Sequence, residues 1–323
     1  MLEVIKPGLE TSIQDYPGRL GYWAQGFPPS GPMDSWSFRL ANLLVGNPAG
    51  AAALECQFVG PTLKFRRDGI IAVCGAEMKP TLDGQPMAMW ESVAVKAGQT
   101  LAMSFAALGA RAYIAVAGGI DTPPWLGSRS TFHKAGVGGM EGHALKAGQV
   151  VPVGDKGTGR AGRKAKPECR PALSTSKSWV VEVVAGPNDD WIDADGQRRF
   201  LGSDWKLSSK SDRTGFRLDG PQWTFTAKAT NKAPENGSEP SNIIDQGYPV
   251  GAINLAGQTP IILVNDGPSM GGFINPYTVP SAAFWKLGQA KPAELLRFKA
   301  VSVDEAQALR REIDALCSAK SII

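Results

Sequence analysis

The chain has 323 residues, a formal net charge of +4 and 20% charged residues, together with 38 glycines and 24 prolines. This length can accommodate two domains that each bury a core, and the glycine and proline content favours short strands and tight turns. The positive charge is mild and scattered, apart from one cluster between Lys156 and Lys177, which argues against a nucleic-acid partner.

Several kinds of site are disfavoured by the motifs that are missing. The four cysteines are widely spaced without a CxxC pair, which is typical of a reducing cytoplasm and argues against a zinc site. The two histidines, His133 and His143, belong to no metal-binding cluster, and the P-loop pattern GxxxxGK[ST] does not occur. With no signal segment and no apolar run long enough to cross a bilayer, we expect a cytoplasmic protein with no metal and no membrane partner.

The predicted elements begin with a strand at residues 2–5 and a helix at residues 35–45. Asp34 is the expected N-cap of this helix, and Gly46-Asn47-Pro48 ends it. After the helix, apolar runs separated by turns predict strands at 53–58, 62–65, 70–74, 79–82, 93–95, 100–104 and 112–117. Strands this short and regularly spaced are typical of a barrel or a sandwich.

A short sequence device recurs along the chain. Val-Lys-Ala-Gly-Gln-Thr-Leu at 95–101 returns as Leu-Lys-Ala-Gly-Gln-Val-Val at 145–151, and more loosely from residue 286. We interpret each copy as a turn that leads into a core strand. The third copy lies in the second half of the chain, which favours two related barrels.

The middle of the chain predicts a boundary between two domains, the first at residues 1–153. Residues 154–178 are rich in glycine, serine and basic residues, which predicts an interdomain linker. A second β-rich domain is predicted at 179–300, where the buried strand Ile261 to Val264 is followed by a Ser-Met-Gly-Gly turn. In the remaining segment, 301–323, residues 303–318 predict an amphipathic helix.

Three loops are candidates for binding. Residues 26–34 place a Pro-Gly turn at a helix N-terminus, where N–H groups attract carboxylates. Residues 118–142 include Arg129 between two serines, a pattern suited to holding an anion. Within residues 251–276, a glycine loop follows a buried strand, and a ligand can approach such a loop closely. Residues 211–215 are a candidate companion of this loop. For any one loop alone, turn formation and N-capping are the simpler interpretation.

Taken together, these loops resemble the family of biotin-dependent carboxyltransferase domains, also called allophanate hydrolase subunit 2. The resemblance extends from about Ile13 to Phe298. The motifs that carry it include Ser12-Ile13-Gln14-Asp15, Ser30-Gly31-Pro32-Met33-Asp34, Ala41-Asn42-Leu43-Leu44-Val45-Gly46-Asn47, Glu55, Gly118-Gly119-Ile120, Leu126-Gly127-Ser128-Arg129-Ser130-Thr131, Asp212-Arg213-Thr214-Gly215 and residues 251–276.

The resemblance implies a mainly β fold of two cyclophilin-like β-barrel domains with few short helices. It also implies a companion protein of the allophanate hydrolase subunit 1 type. Residues 266–273 and 284–289 look most like the urea carboxylase branch, whereas the branch of the 5-oxoprolinase C subunit tends to carry Gln where Asn254 lies. His143 departs from the family pattern, in which an arginine is common at this position.

The activity implied by the resemblance is transfer of a carboxyl group from carboxybiotin to urea or a related amide or guanidine-type nitrogen. The biotin would be attached to a separate biotin carrier protein and charged by a biotin carboxylase, and both are implied partners. Such a reaction needs donors for developing negative charge and groups that orient the acceptor. The implied catalytic residues are Arg129, Asp266 and Ser269, and the implied substrate-binding residues are Ser30, Asp34, Ser128, Ser130, Arg213, Asn254, Gly271 and Gly272.

Two alternatives remain open from the sequence. One is the C subunit of an ATP-dependent 5-oxoprolinase, which would open a lactam ring without biotin. The other is a non-enzymatic regulatory binding protein of the KipA type, which would sequester its companion. Neighbouring genes for a biotin carboxylase and a biotin carrier would favour the carboxyltransferase.

Overall fold

The computed structural model describes residues 1–155, 157 and 159–323. The two other positions, Lys156 and Thr158, belong to the predicted linker and lie outside the described residues. The chain divides into two compact units, the first formed by Met1–Tyr22, Pro29–Leu173 and Glu312–Ile323, and the second by Trp23–Pro28 and Ser174–Arg311. The domain limits derived from the sequence, at residues 153, 178 and 300, stay predictions.

The first unit contains two antiparallel sheets with a core between them. Its strands are β1 (Leu2–Lys6), β2 (Glu10–Gln14), β3 (Ala53–Gln57), β4 (Thr62–Phe65), β5 (Gly69–Gly75), β6 (Thr81–Leu82), β7 (Gln85–Pro86), β8 (Ser92–Val95), β9 (Thr100–Ala102), β10 (Arg111–Val116) and β11 (Val150–Val151). One sheet has the order β11-β1-β4-β9-β6-β7, and the other has the order β2-β3-β10-β5-β8. Leu2 and Leu63 of the first sheet share one buried cluster with Leu54, Ile71 and Ile114 of the second.

Helix α1 (Ser35–Leu44) covers the other face of the second sheet. Phe38, Ala41 and Leu44 pack against residues of β5 and β10, including Tyr113. The Oδ1 of Asp34 accepts hydrogen bonds from the main-chain N–H groups of Trp36 and Ser37, at 3.1 and 3.0 Å. Because these bonds satisfy N–H groups that the helix itself leaves without partners, Asp34 fixes where α1 begins, as the sequence predicts.

The second unit is organised around a closed barrel. Its strands are β12 (Ser178–Ala185), β13 (Trp205–Leu207), β14 (Gly215–Asp219), β15 (Asn242–Gly247), β16 (Ala252–Ala256), β17 (Thr259–Leu263), β18 (Met270–Phe273), β19 (Tyr277–Thr278) and β20 (Leu295–Ala300). The barrel order is β12-β19-β16-β17-β14-β13-β20, while β15 and β18 form a separate two-stranded ribbon. The predicted mainly β fold with a barrel and few helices is confirmed.

Helices are short in the second unit. They are α2 (Ala194–Gly202), α3 (Ala227–Thr230), α4 (Phe284–Gln289) and α5 (Val303–Leu316), the last of which continues into the first unit from Glu312. Phe200 of α2 stacks against Trp223, Tyr277 and Phe298, with ring centroids 4.9, 4.6 and 4.4 Å away.

Single turns of 3-10 helix occur in both units. They lie at Trp23–Gln25, His133–Ala135, Pro167–Cys169, Asp189–Trp191, Pro234–Asn236, Ser281–Ala283 and Ala319–Ser321.

Two copies of the repeated sequence form the same turn. In both, the glutamine side chain accepts from the lysine N–H at 2.8 Å, and the glycine has a positive φ, 92° at Gly98 and 84° at Gly148. The looser third copy begins in α4, and its later part also forms a turn that leads into a core strand. There the N–H of Lys291 donates to Glu294 Oε2 at 3.1 Å and Ala293 has a φ of 71°, directly before β20. The predicted Ser-Met-Gly-Gly turn is wrong, because Met270–Phe273 is strand β18 and pairs with β15.

No helix within the described ranges is both long enough and apolar enough to span a bilayer.

Candidate functional site

Asp15, the residue that follows β2, gathers three donors from one loop of the first unit. Its Oδ1 accepts from the hydroxyls of Ser128 and Ser130 at 2.5 and 2.6 Å, and its Oδ2 accepts from the N–H of Arg129 at 2.6 Å. Both serines are buried, with 1% and 0% exposure. Their hydroxyl protons are therefore committed to Asp15, and the two predicted substrate-binding serines hold the loop in shape.

The side chain of Arg129 connects two segments of the first unit. Its Nε donates to the carbonyl oxygen of Thr122 at 2.6 Å, and its Nη2 pairs with Asp121 at 2.8 Å. The carbonyl oxygen of Arg129 accepts from the N–H of Gly139 at 3.0 Å. Arg129, a predicted catalytic residue, thus fixes the segment at residue 122 and the glycine loop at residue 139 relative to each other.

The loop that carries Ser30 and Asp34 is held by buried polar groups. Ser30 has a positive φ of 55°, and the N–H of the next residue, Gly31, donates to Gln14 Oε1 at 3.0 Å. The N–H of Asp34 donates to the hydroxyl of Tyr113 at 2.7 Å. The N-terminal N–H groups of α1 that were expected to attract a ligand carboxylate are occupied by Asp34 itself.

A buried carboxylate stands behind this loop. Glu55 Oε2 accepts from the N–H of Met33 and from the hydroxyl of Tyr113, both at 2.8 Å. Burial, together with the negative charges of Glu55 and Asp34, raises the pKa of the Tyr113 hydroxyl well above its usual value. Tyr113 therefore stays protonated and links the loop to β3 and β10.

A cleft of about 700 Å³ opens in the first unit between residues 122–125 and residues 136–142, with Val150 and Pro152 also lining it. Arg129 joins the two walls of this cleft through its bonds to Thr122 and Gly139, and Asp15 in turn bonds to the N–H of Arg129. None of the residues predicted from the sequence as site residues lines the cleft itself.

In the second unit, Arg213 and Asp266 form a buried ion pair. The Nε–Oδ2 distance is 3.0 Å and the Nη2–Oδ1 distance is 3.4 Å, while the side chains are 5% and 3% exposed. The N–H of Asp266 also donates to the carbonyl oxygen of Arg213 at 2.8 Å. The structure thus brings together a predicted substrate-binding residue and a predicted catalytic residue, each satisfying the charge of the other.

The predicted glycines Gly271 and Gly272 lie in β18, which contacts β16, the strand that carries Asn254. Asn254 is 4% exposed, and its Oδ1 is buried without a hydrogen-bond partner among the described residues. A buried acceptor of this kind is costly unless a ligand or water satisfies it.

The ribbon is fastened by Tyr248. Its hydroxyl accepts from the N–H of Phe273 at 2.6 Å and donates to the carbonyl oxygen of Phe273 at 2.9 Å. Its own N–H donates to the carbonyl oxygen of Ser269, the third predicted catalytic residue, at 2.7 Å. Burial is the main cause that raises the pKa of Tyr248. A Cβ on Gly271 would lie 3.0 Å from the Tyr248 ring, so a glycine permits this close approach.

No cluster of histidine, cysteine, aspartate and glutamate suited to a metal ion occurs within the part of the chain that the structure describes.

Asp15, Tyr113 and Tyr248 organise these loops and were not predicted as site residues. Asp15 and Glu55 carried a signal, since both lie in the family motifs. Tyr113 carried none, because it lies in an apolar stretch where an aromatic residue is the ordinary choice for a core. Tyr248 lies between Gly247 and Pro249, outside the motifs named above.

The mainly β fold, the closed barrel and the order of the polar loops agree with one family of proteins. The chain is a member of the carboxyltransferase domain family, subdomains A and B, whose model matches residues 25–300.

Two kinds of relative share this domain. The chain is 40% identical over 319 residues to the urea amidolyase of Saccharomyces cerevisiae, a match that covers 97% of this chain and 17% of that protein. The chain therefore spans only a small part of the length of that relative. It is 34% identical over 317 residues to the C subunit of the Escherichia coli 5-oxoprolinase, covering 97% of this chain and 95% of that protein. The solved structure of the Kluyveromyces lactis urea carboxylase matches with a TM-score of 0.92 and 39% identity, covering 99% of this chain and 29% of that chain.

Proposed function

We propose that this chain is the carboxyltransferase subunit of a urea carboxylase-like system. It would transfer a carboxyl group from carboxybiotin, attached to a separate carrier protein, to urea or a related amide or guanidine-type nitrogen. The observation that carries the proposal is the match to the K. lactis urea carboxylase, at a TM-score of 0.92 and 39% identity over 99% of this chain. We propose a companion of the allophanate hydrolase subunit 1 type, a biotin carboxylase and a biotin carrier protein as partners, and a cytoplasmic location.

Asn254 is the residue that we assign to the carboxyl acceptor. Its buried Oδ1 accepts no hydrogen bond from the described residues, and urea offers N–H donors. An N–H donated to this oxygen would satisfy it and orient the nitrogen that is to be carboxylated. Main-chain groups of Gly271 and Gly272 are proposed to contact the same molecule, because glycine lets a ligand approach the backbone closely.

We propose that Arg213 and Asp266 act by positioning the loop that precedes Ser269. Both main-chain and side-chain bonds join the two residues and hold this loop in place. Arg129 has the same kind of role in the first unit, where it fixes both walls of the cleft. Carboxybiotin, when bound, supplies the carboxyl group.

A second candidate function is that of the C subunit of a 5-oxoprolinase. The 34% identity to the E. coli protein over 97% of this chain favours it. The lactam of 5-oxoproline also carries an N–H that could bond to Asn254, so the residues described do not separate the two substrates by chemistry alone.

Reconstitution tests the proposal. The chain is combined with its companion, a biotin carboxylase, a biotinylated carrier, ATP and labelled bicarbonate, and label incorporated into urea is measured beside ATP-dependent opening of 5-oxoproline. Transfer to urea that requires this chain supports the proposal, whereas lactam opening without biotin would replace it.

Replacing Asn254 by Ala is the matching residue-level test. Loss of one hydrogen bond of about 1.5 kcal/mol predicts a KM for urea raised about tenfold. Asn231→Ala, at an exposed position, is the control and should leave the KM unchanged. An unchanged KM in Asn254→Ala would remove this residue from acceptor binding.

A further inference from the structure

Three exposed apolar side chains lie side by side at one end of the first unit. Leu9, Val59 and Phe105 are 64%, 40% and 66% exposed. The N–H of Leu9 donates to the carbonyl oxygen of Val59 at 3.1 Å, and Val59 forms an antiparallel bridge with Phe105. The backbone thus brings three distant segments next to one another. We refer to the surface of these segments as the apolar patch: residues 7–9, 58–61 and 103–110.

The segments of the apolar patch contain no charged residue. Their one side-chain hydroxyl, that of Ser104, donates to the carbonyl oxygen of Met78 at 3.0 Å. Apolar side chains scattered singly are normal on a protein surface, whereas a contiguous apolar patch marks an interaction site. The composition of this patch therefore favours a partner that is itself apolar at the point of contact.

The loops of the apolar patch are held in place by their own backbone. A Cβ on Gly8 would lie 2.4 Å from the carbonyl oxygen of Val59, so the first two segments are in close contact. Phe58 has a φ of 57°, which is unfavourable for a residue with a Cβ, and backbone bonds to Ala106 and Ala110 at 2.7 and 2.8 Å hold it there. A preformed surface has little conformational freedom to lose on binding.

Opposite charges lie at the two ends of the apolar patch. Lys6 is exposed and directly precedes residues 7–9. At the other end, Glu77 is exposed, its N–H donates to the carbonyl oxygen of Leu108, and its own carbonyl oxygen accepts from the N–H of Ala107, both at 2.8 Å. Because residues 7–9 adjoin Val59, and residues 103–110 lie between Val59 and Glu77, the order across the surface is positive, apolar, negative.

Each end also carries a second charge, of the sign opposite to the first. Glu10 follows Leu9, and its Oε1 lies 3.5 Å from the Nε2 of His133. Lys79 follows Glu77 by two residues. The second charges of the two ends are therefore also opposite in sign, and they do not oppose a pairing of one end with the other.

We propose that the apolar patch is the interface of a dimer formed by two copies of this chain. A two-fold axis across the middle of the patch brings apolar surface onto apolar surface and Lys6 of each copy against Glu77 of the other. A two-fold interface requires a surface that is complementary to itself, and this order of charges provides it. A membrane surface would call for a cluster of lysine and arginine residues instead. The inference goes beyond the proposed function and does not depend on it.

The size of the apolar patch indicates how strong the dimer should be. Three side chains supply only part of the roughly 800 Å² that each partner buries in a standard interface. The flanking polar residues must contribute the rest, and we expect a dimer that dissociates on dilution. Phe105 is the large aromatic side chain among the three, and we expect it to contribute most of the binding energy.

Sedimentation velocity of the full chain over a range of concentrations measures the monomer–dimer equilibrium. Phe105→Asp should weaken dimerisation by about tenfold or more, because the two-fold axis places two carboxylates in an apolar contact. Ile244→Asp is the matched control, since Ile244 is 65% exposed and lies in β15, outside the apolar patch. This control should dimerise as the wild type does.

Charge reversal tests the two-fold arrangement itself. Lys6→Glu alone and Glu77→Lys alone should each weaken dimerisation about tenfold, because each places like charges against each other twice in the dimer. An equimolar mixture of the two variants should recover dimers, because both contacts of the mixed dimer again join opposite charges. The double variant, Lys6→Glu with Glu77→Lys, should dimerise with itself as the wild type does.

The outcomes decide between this interface and other uses of the patch. Recovery on mixing, together with the loss caused by Phe105→Asp, supports the proposal. A wild-type chain that stays monomeric at high micromolar concentration, a dimer that Phe105→Asp leaves intact, or variants that do not associate on mixing would overturn it. A monomeric wild type whose Phe105→Asp variant no longer binds its companion protein would assign the patch to that partner and reject the dimer.

Discussion

At the scale of single residues, the first unit shows how one carboxylate can organise a loop. Asp15 accepts hydrogen bonds from the hydroxyls of Ser128 and Ser130 and from the N–H of Arg129, so these three donors already have a partner within the protein. The donor roles that the sequence predicts for these residues stay predictions. Their bonds to Asp15 were not predictable, because the acceptor lies 113 to 115 residues earlier in the chain and sequence spacing does not show which distant residues meet.

The buried pair of Arg213 and Asp266 gives a residue-scale prediction. Asp266→Ala should lower the free energy of unfolding by about 3 kcal/mol or more, because it leaves the Arg213 charge buried without its partner. Urea denaturation of the full chain measures this loss.

A double variant then distinguishes a structural role from a catalytic one. Arg213→Met combined with Asp266→Leu should recover most of the lost stability, since neither charge remains. If the pair acts only by fixing its loop, the double variant should also recover carboxyl transfer. Recovered stability with no recovered transfer would show that Asp266 contacts a substrate.

At the scale of elements, caps and turns were the most predictable features. The start of α1 follows from Asp34, and the two Lys-Ala-Gly-Gln turns have the same hydrogen bonds because they have the same residues. Strand β18 was missed, since Gly271 and Gly272 leave no alternating pattern of side chains to detect. The strand exists because its backbone pairs with β15, a strand that lies well upstream in the chain.

The repeated turn predicts an energetic cost for losing its glycine. Gly98→Ala should destabilise the protein by about 1 kcal/mol, because a φ of 92° is unfavourable for any residue with a Cβ. No atom lies within 4 Å of the added Cβ, so the effect comes from the backbone alone.

Gly202→Ala, in α2, is the matched control. Its surroundings are equally open and its φ is not positive, so the substitution should be neutral or stabilising. Thermal midpoints of the two variants give the comparison, and equal midpoints would contradict the role assigned to the turn.

Helix α2 provides a prediction about pH. The N–H of Gly196 and then the hydroxyl of Thr224 donate to Asp193, and these bonds lower the pKa of its carboxyl group from the ordinary value of 3.8. A depressed pKa in the folded state means that the charged carboxylate stabilises the fold above about pH 3.8, and that this contribution is lost as the pH falls through the folded-state value.

The Asp193→Asn variant should therefore be less stable than the wild type at neutral pH, and the difference in thermal midpoint should shrink in strong acid. Asp195→Asn, in the first turn of the same helix and in an exposed ion pair, should show a smaller difference at neutral pH. A difference for Asp193→Asn that is independent of pH would show that charge plays no part in this cap.

At the scale of the whole molecule, the family and the mainly β fold were predictable because the polar loops occur in a fixed order over most of the chain. The domain limits at residues 153, 178 and 300 stay predictions. Residues beyond 153 join the first unit through local pairing, such as the bridges of Lys164 with Glu91 and of Ala165 with Ile322. A glycine-rich, basic composition resembles a linker whether or not its backbone finds partners.

The thiols report on the integrity of the whole fold. All four cysteines are buried, and burial raises the pKa of Cys56 to about 12 and that of Cys74 well above its usual value. We expect native protein to react with Ellman's reagent far more slowly than protein unfolded in urea, where all four thiols should be labelled. Rapid labelling of the native protein would indicate that a core opens without unfolding.

The packed glycines of the cleft loop also bear on how the cleft can be altered by mutation. Gly138 and Gly139 admit no side chain, so a saturation library should find these two positions as intolerant as the core. Changes to the cleft would then have to come from Pro123, Val137 and Met140, which line it without this restriction. A library that varies those three positions and keeps both glycines would therefore change the lining of the cleft while preserving the backbone that forms it.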